Sequence, residues 1–300
     1  MSVLTPSAAP PTGQASANMI AMASMLTWAT GFPAVDYLLP VLPPVWLVAA
    51  RMVLGVVALL PVWWLLDGPR ALAAAPWRSA MVTGAIGFGL GAWLLILAQA
   101  RVGAVTAAVI TATLPVIGIA MEAAFDGRRV THRLILGLVL SLAGGVMAYA
   151  AGLGRLTLGP GALLAFGSVL VFAWGSRRTT LLPISAIGRT TITLVGAAIA
   201  TVLAAAASAL AGGPVPDLAG FGGGHLAALV GYGIGALALS QVLWIVSVGR
   251  LGIGVASMHI NIAPFYVMLL AVALGGLWDW WQAVGAVVVA AGVVIAQRRG

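Results

Sequence analysis

Long apolar runs, separated by short breaks, make up almost all of this sequence. A helix needs about 20 apolar residues to cross a hydrocarbon layer about 30 Å thick. Of the 300 residues, 62% are hydrophobic and only 7% are charged, whereas a soluble domain carries about 25% charged residues. Such a chain cannot cover its surface with polar groups in water. We therefore predict an all-α integral membrane protein.

The positions of proline, glycine and charge divide the apolar sequence into ten predicted transmembrane helices. Breaks fall at residues 40–44, 67–70, 126–129 and 212–217, and tight turns are predicted at 100–103 and 249–252. The predicted spans are 19–35, 44–66, 79–99, 103–124, 133–152, 159–176, 183–210, 226–248, 252–274 and 281–297. Residues 1–18 lack both charge and an apolar core, so we expect a flexible cytoplasmic tail rather than a signal peptide.

All fourteen basic residues are arginines, and their positions predict orientation. With the N-terminus in the cytoplasm, ten arginines fall in cytoplasmic segments and two outside. This bias favours a multi-pass protein of a bacterial-type inner (plasma) membrane, with both termini cytoplasmic. The arginines do not cluster on one polar face, so we expect no nucleic-acid partner. Arg51 and Arg189 remain, and both lie within predicted spans.

Two glycine clusters, GFGLG at 87–91 and GYGIG at 231–235, satisfy the spacing of a dinucleotide-binding turn. That turn requires a preceding strand and an acidic residue about twenty positions later. Both clusters instead lie inside apolar runs without such an acid. Small residues let helices approach closely in lipid. We predict close packing and gating flexibility for these glycines and for two span prolines: Gly87, Gly89, Gly91, Pro115, Gly231, Gly233, Gly235 and Pro264.

The two halves of the sequence repeat each other. Pro115 aligns with Pro264 at an offset of 149, and Trp28 aligns with Trp174 at 146. Further matches, at an offset of 148, join Gly137 with Gly285 and Gly144 with Gly292. Arg51 and Arg189 each lie early in the second span of their half. We predict five-helix repeats at 19–152 and 158–298; because five is odd, the second is inverted, as in alternating-access transporters.

These motifs resemble the EamA-type repeat of the drug/metabolite transporter superfamily. The resemblance lies in WATGFP at 28–33, Arg51, the turn before span four with Pro115, EAAFDGRR at 122–129, and the glycines of span five; the second half shows Trp174, Arg189, GRLG, Pro264, Gly285 and Gly292. It implies a ten-helix carrier for small metabolites, and its nearest branch is the bacterial aromatic amino-acid exporters. In the second half, Ala271 stands where Glu122 would align.

Polar and aromatic residues within spans are the candidate substrate contacts, because polar groups are costly in the membrane. Asn261 and His259 lie just before Pro264; for His259 the alternative is a hydrogen bond to a neighbouring helix. Aromatic walls are predicted from Trp28, Phe88, Trp174 and Tyr232, with core or lipid packing as the alternative. Tryptophans at span ends are expected at the membrane interface: Trp63, Trp64, Trp77, Trp278, Trp280 and Trp281.

The charged residues within spans have two interpretations each. Arg51 and Arg189 either bind a substrate carboxylate or extend to the membrane interface. Glu122 is expected to form an ion pair with Arg128, Arg129 or Arg133 rather than to couple transport to protons.

The sequence contains no cysteine, and no metalloprotease motif or other catalytic grouping is present. We therefore expect no enzyme activity, cofactor or metal site. The predicted function is export of a small-molecule substrate, amino acids above all and aromatic ones among them, by alternating access within membrane lipid. The alternative within the superfamily is a multidrug or nucleotide-sugar carrier; an intramembrane enzyme or a channel is the alternative of another class.

Overall fold

A computed structural model describes residues 11–148 and 159–298 of the chain. Within these ranges the chain is helical and contains no β-strand. The helices are α1 (Pro11–Ala29), α2 (Gly31–Leu38), α3 (Pro44–Ala74), α4 (Trp77–Gly84), π1 (Ala85–Leu90), α5 (Gly91–Thr111), α6 (Leu114–Asp126), α7 (His132–Ala148), α8 (Pro160–Thr180), α9 (Ala186–Leu210), α10 (Gly223–Val230), π2 (Gly231–Leu239), α11 (Ser240–Leu251), α12 (Ile253–Met258), a 3-10 turn (His259–Ile262), α13 (Ala263–Ala273) and α14 (Trp280–Gln297).

In the described part of the chain, seven helical segments are long and apolar enough to cross a membrane. They are Pro44–Ala74, Trp77–Val102, Thr106–Asp126, Ala186–Leu210, Gly223–Leu251, Ile253–Ala273 and Trp280–Gln297. The all-helical membrane architecture predicted from the sequence is thus confirmed. The predicted spans over 19–35, 133–152 and 159–176 are not among the seven, although helices occupy all three positions in the described residues.

Some boundaries differ from the prediction. The first helix is already formed at Pro11, eight residues before the predicted start at residue 19. Residues 1–10 of the predicted tail and residues 149–158 at the predicted junction of the repeats lie outside the described residues. The turn predicted at 249–252 is present, with Gly252 at a φ of 80°. By contrast, α5 continues through the turn predicted at 100–103.

Both glycine clusters fold as π-helix, a form predicted for neither. The first cluster lies in and beside π1, between α4 and α5; the second lies in π2, between α10 and α11. A π-helix has one more residue per hydrogen-bonded turn than an α-helix and is often found at functional sites. The glycines therefore mark the two places where long helices change their winding.

The main helix pairs each join a helix from the first half of the chain to a helix from the second half. The most extensive contacts join α7 with α14, and others join α3 with α9 and α6 with α12. In addition, α1 packs on α11, whereas α8 packs on α5 and π1. Under the predicted repeat, the α7–α14 and α3–α9 pairs each map onto themselves, and α1–α11 maps onto α8–α5. The α6–α12 pair does not follow this rule, because α6 corresponds to α13 and α12 corresponds to the end of α5.

The crossing of α7 and α14 depends on four glycines. A Cβ added at Gly292 would lie 2.6 Å from the carbonyl oxygen of Gly137, and one at Gly285 would lie 2.6 Å from that of Gly144. Each glycine in α7 is blocked in return by the backbone of its partner in α14. The residue order shows that these helices run antiparallel and pack backbone against backbone, as small residues permit in lipid.

Polar contacts gather helix ends at one end of the bundle. Asn18 and Gln297 exchange side-chain hydrogen bonds of 2.8 and 2.7 Å, which brings the start of α1 beside the end of α14. The ends of α6 and α8 and the start of α12 meet at this same end, which we name the Glu122 end. The opposite end, where α3 begins, is named the Arg51 end.

Candidate functional site

Aromatic residues predicted to wall a cavity lie in separate places. The half-buried Trp28 contacts Phe32 edge to face, with ring centroids 5.1 Å apart. Phe88 is buried against Phe172, whose ring lies 5.9 Å from Trp244. Trp174, the repeat partner of Trp28, is also half-buried. The structure therefore assigns Phe88 to an aromatic core.

The 3-10 turn of residues 259–262 precedes Pro264 and carries the predicted polar contacts. The buried His259 places its Nδ1 3.2 Å from the carbonyl oxygen of Ala256 and 3.3 Å from that of Val255, both in its own helix. Ser257 likewise donates to the carbonyl of Ile253 at 2.6 Å. The polar atoms of His259 and Ser257 thus contact carbonyl oxygens in the preceding helical turn. Hydroxyl groups inside helices are commonly accommodated in this way.

Asn261 instead joins two helices. Its Nδ2 donates to Ser141 of α7, at 3.0 Å to the hydroxyl and 3.2 Å to the carbonyl. Gly145 makes room for the amide, since a Cβ there would lie 3.1 Å from Asn261 Cγ. The Oδ1 atom is buried and has no hydrogen-bond partner among the described residues. Asn261 is thus half satisfied, with one acceptor left free.

Near the Arg51 end, Arg51 and Tyr232 form a polar pair between α3 and π2. Arg51 Nη1 donates to the Tyr232 hydroxyl at 2.6 Å, and the guanidinium carbon lies 5.1 Å from the ring centroid. Gly31 lies beneath the ring, where a Cβ would be 3.0 Å from Tyr232 Cε2. Arg51 Nε is buried and unpaired within the described residues. Sequence reasoning identified both residues, but not their contact.

The packing of the glycine clusters corrects the predicted match of Arg51 with Arg189. A Cβ at Gly233 would lie 2.6 Å from Leu54 Cβ and 3.3 Å from the Arg51 carbonyl oxygen. At the equivalent Gly89, a Cβ would lie 2.9 Å from Ala200 Cβ and 3.3 Å from the carbonyl oxygen of Ala197.

The structural counterpart of Arg51 is therefore Ala197, at the same offset of 146 that relates Trp28 to Trp174. The match of Arg51 with Arg189 by position within a span was wrong because α9 extends further ahead of its contact with π1 than α3 extends ahead of its contact with π2. Arg189 lies in the first turn of α9.

At the Glu122 end, the predicted ion pair of Glu122 is confirmed. Its partner is Arg128, and Glu122 Oε1 also accepts a hydrogen bond of 3.3 Å from the backbone of Gly254, at the start of α12. The carboxylate occupies the space beside Gly252, where any side chain would collide with it. This arrangement attaches the end of α6 to the start of α12.

A second ion pair attaches α6 to α8. Arg177 holds both carboxylate oxygens of Asp126, with 2.8 Å from Nε to Oδ2, and its guanidinium lies 5.1 Å from the Phe125 ring. Both ion pairs found in the described residues thus lie at the Glu122 end.

Trp63 is a correction to the predicted interfacial tryptophans. It is fully buried, donates from Nε1 to Asp67 at 2.9 Å, and packs against Gly188 of α9. Its face of α3 contacts another helix rather than lipid. Of the other span-end tryptophans, Trp64, Trp278, Trp280 and Trp281 are exposed, whereas Trp77 is half-buried and lies beside Trp63.

Two cavities are notable in the described residues, and neither is lined by any of the six predicted substrate contacts. An open one of about 610 Å³ lies between α13 and α14, beside Trp278, Asp279 and Trp280. The other, of about 10 Å³ between Val48 and Thr201, is no larger than one water molecule. The described residues contain no cluster of three or more potential metal ligands.

Comparison with known proteins gives one family and one fold. Residues 15–150 match the EamA-like transporter family. No curated protein matches the chain. A solved structure titled "Crystal structure of protein" is similar over 94% of this chain and 96% of its own, with a TM-score of 0.79 and 22% sequence identity. At that identity the likeness establishes the fold alone.

Proposed function

We propose that this chain, which belongs to the EamA-like transporter family, is a ten-helix carrier that exports amino acids from the cell. As a family member it is a multi-pass membrane transporter of the drug/metabolite transporter superfamily. The proposal adds the inverted five-plus-five repeat, alternating access, amino-acid substrates, and an inner-membrane location with both termini cytoplasmic.

The reciprocal glycine contacts of α7 and α14 are the observation that carries the inverted repeat. Gly137 faces Gly292, and Gly144 faces Gly285. Shifting both α7 residues forward by 148, and both α14 residues back by 148, exchanges the two contacts. An antiparallel pair that maps onto itself in this way is what a two-fold axis in the membrane plane produces. Carriers with such an axis move a substrate past a site between their halves.

Alternating access is supported by the difference between the two ends. At the Glu122 end, the Asp126–Arg177 ion pair joins α6 to α8, and Glu122, paired with Arg128 at the end of α6, joins α6 to α12 through the backbone of Gly254. The described residues of the Arg51 end contain no ion pair. We infer that the contacts of Asp126 with Arg177 and of Glu122 with Gly254 close the cytoplasmic side and separate when that side opens. The glycines of π1 and π2 permit the accompanying movement of helices.

The substrate contacts are proposed at two depths along the membrane normal. Tyr232 and Trp28 act near the Arg51 end, and Asn261 offers its free Oδ1 acceptor to a substrate ammonium group. His259 helps to shape the 3-10 turn. Phe88 and Trp174 face the pathway only when the helices move, since Phe88 is buried in the structure.

The test is counterflow in liposomes that contain the purified protein and no ion gradient. Vesicles are preloaded with an unlabelled amino acid, and entry of its labelled form is followed for aromatic, aliphatic and basic types. We expect transient accumulation that disappears in Asn261→Ala, with Ser257→Ala as a folded control. Absence of counterflow with every amino acid would refute the substrate class.

A further inference from the structure

We propose that Arg51 binds the carboxylate of the transported substrate through its Nε and Nη2 atoms, with Tyr232 as the residue that positions it. The proposal deepens the carrier function above and rests on it for the substrate. It concerns one side chain in a span, and it identifies the substrates as small monocarboxylates.

The first argument is the free edge of the guanidinium group. Arg51 uses Nη1 for Tyr232, which leaves Nε and Nη2 on the adjacent edge. Within the described residues neither atom has a hydrogen-bond partner, and Nε is buried. An unpaired buried N–H of a charged group is unfavourable unless something binds it.

Arg177 shows, in this same protein, what that edge binds. Its Nε and Nη2 hold the two oxygens of Asp126. Such paired, charge-assisted hydrogen bonds are the strongest and most specific contacts between arginine and carboxylate. Arg51 presents the same two donors without an acid.

The second argument is the charge itself. None of the described carboxylates lies within ion-pair distance of Arg51. Arg51 is two turns into α3, about 10 Å from its start at a rise of about 1.5 Å per residue. Charged residues inside membrane spans are rare and mark substrate pathways. A substrate carboxylate would supply the missing counter-charge.

The third argument is that the pair occurs at only one of two equivalent crossings. The counterparts of Arg51 and Tyr232 are Ala197 and Phe88, so both polar members are absent from the crossing of α9 with π1. Helix packing does not require them, because Ala197 and Phe88 support the same crossing. Arg189 also has an unpaired Nε among the described residues, but it lies in the first turn of α9, from where its side chain can reach the interface.

Tyr232 positions the guanidinium in two ways. Its hydroxyl holds Nη1, and its ring lies 5.1 Å from the cationic carbon. Gly31 fixes the ring from the other side. The free edge is thereby oriented before a substrate arrives. A single arginine suits one carboxylate, whereas a sugar nucleotide would need several cations for its phosphates.

The experiment compares an acid with its amide. Counterflow of labelled L-phenylalanine in liposomes is inhibited with unlabelled L-phenylalanine or L-phenylalaninamide, for wild type and for four variants. We expect wild type to prefer the acid at least about tenfold, the value of one charged hydrogen-bonded pair. Arg51→Gln should reduce that ratio to about one, and Arg51→Lys, which keeps the charge but not the paired donors, to an intermediate value.

Two further variants test whether the preference for the acid depends on where the arginine lies or only on its charge. Arg189→Gln should leave the acid-to-amide ratio unchanged. Tyr232→Phe should lower the ratio about threefold while the protein keeps its thermal stability within a few degrees, a result that a purely structural role for the hydroxyl would not give. If Arg51→Gln does not fold, the acid-to-amide ratios of Arg51→Lys and Tyr232→Phe test the proposal instead.

A binding assay distinguishes failure of this proposal from failure of the carrier function. Phenylacetate is added to the full chain in detergent, and the shift in unfolding temperature is compared between wild type and Arg51→Lys. If no amino acid shows counterflow but phenylacetate stabilises only wild type, Arg51 remains a carboxylate site and the amino-acid function is wrong.

Three results overturn the role of Arg51. They are an unchanged ratio in Arg51→Gln, an equal loss in Arg51→Gln and Arg189→Gln, and a wild type that neither prefers the acid nor is stabilised by phenylacetate.

Discussion

The two π-helical regions, π1 and π2, have the same backbone role and different chemistry. Each interrupts a long helix, and each packs a glycine, Gly89 or Gly233, against the equivalent point of α9 or α3. At the same positions π1 carries Phe88 within an aromatic core, whereas π2 carries Tyr232, bonded to Arg51. The two crossings thus share their packing, while a polar pair occurs at only one of them.

This difference indicates which features serve the fold and which serve a ligand. A contact that both halves share, such as glycine against helix backbone, is needed to bring helices together in lipid. A polar contact present at only one of the two crossings is not needed for that purpose. It is also unfavourable in an apolar environment, so its presence points to function.

The largest effect is expected from placing an arginine at position 197, the counterpart of Arg51. Ala197→Arg places a guanidinium at a fully buried position packed against Gly89. We expect loss of more than about 4 kcal/mol of stability, because the group would be both overpacked and without a counter-charge. The measurement is the yield of monodisperse protein in detergent and its unfolding temperature.

The control is the reverse change, Arg51→Ala, which makes α3 resemble α9. We expect this variant to fold, since only the contact with Tyr232 is removed. If Ala197→Arg folds as well as wild type, the position of Ala197 is not as closed as its burial and its packing against Gly89 indicate.

The second prediction uses a matched pair of glycines. A Cβ at Gly87 would lie 2.5 Å from Gly175 Cα, whereas at the equivalent Gly231 nothing among the described residues lies within 4 Å. Gly87→Ala should therefore lower stability by about 1–3 kcal/mol, because two backbones must separate. Gly231→Ala should change it by less than about 0.5 kcal/mol. Equal unfolding temperatures for the two variants would contradict the asymmetric packing.

The third prediction concerns Glu122, whose counterpart in the second half is Ala271. Glu122→Gln removes the charge that binds Arg128 while keeping an acceptor for Gly254. We expect a loss of about 1–3 kcal/mol and faster modification of a cysteine introduced at Ser257, since the Glu122 end opens more often. Asp126→Asn, at an exposed ion pair, should cost less than about 1 kcal/mol. Unchanged cysteine accessibility in Glu122→Gln would exclude a closing role for the pair.

The sequence predicts the helical membrane fold because hydropathy alone makes any other backbone structure too costly in lipid. The contact of Gly137 with Gly292 was not predicted, because an alignment of the two halves indicates which residues are equivalent and not which residues touch. Helix ends were less predictable. Nothing in the sequence separates residues 100–103, through which α5 continues, from residues 249–252, where Gly252 ends its helix through a positive φ.

The candidate site was less predictable than the fold because a side chain's direction depends on the rotation of its helix. Trp63 was expected at the interface and is buried, since its face of α3 packs on α9. The π-helical winding of residues 231–239 also changes the face on which Tyr232 lies. The contact of Arg51 with Tyr232 therefore could not follow from spacing, although the match of Tyr232 with Phe88 was a usable signal.

The smallest effect is expected from Tyr232→Phe, which measures the contact between Arg51 and Tyr232 most directly. Tyr232→Phe gives π2 the side chain of π1 and removes one hydrogen bond to a charged group, with the ring and its contact with Gly31 retained. We expect a loss of about 0.5–1.5 kcal/mol, and no further loss when the change is added to Arg51→Ala. The check is a double-mutant cycle of unfolding temperatures in detergent. Additive effects would show that the hydroxyl stabilises π2 independently of Arg51, and the two residues would then not act as one unit.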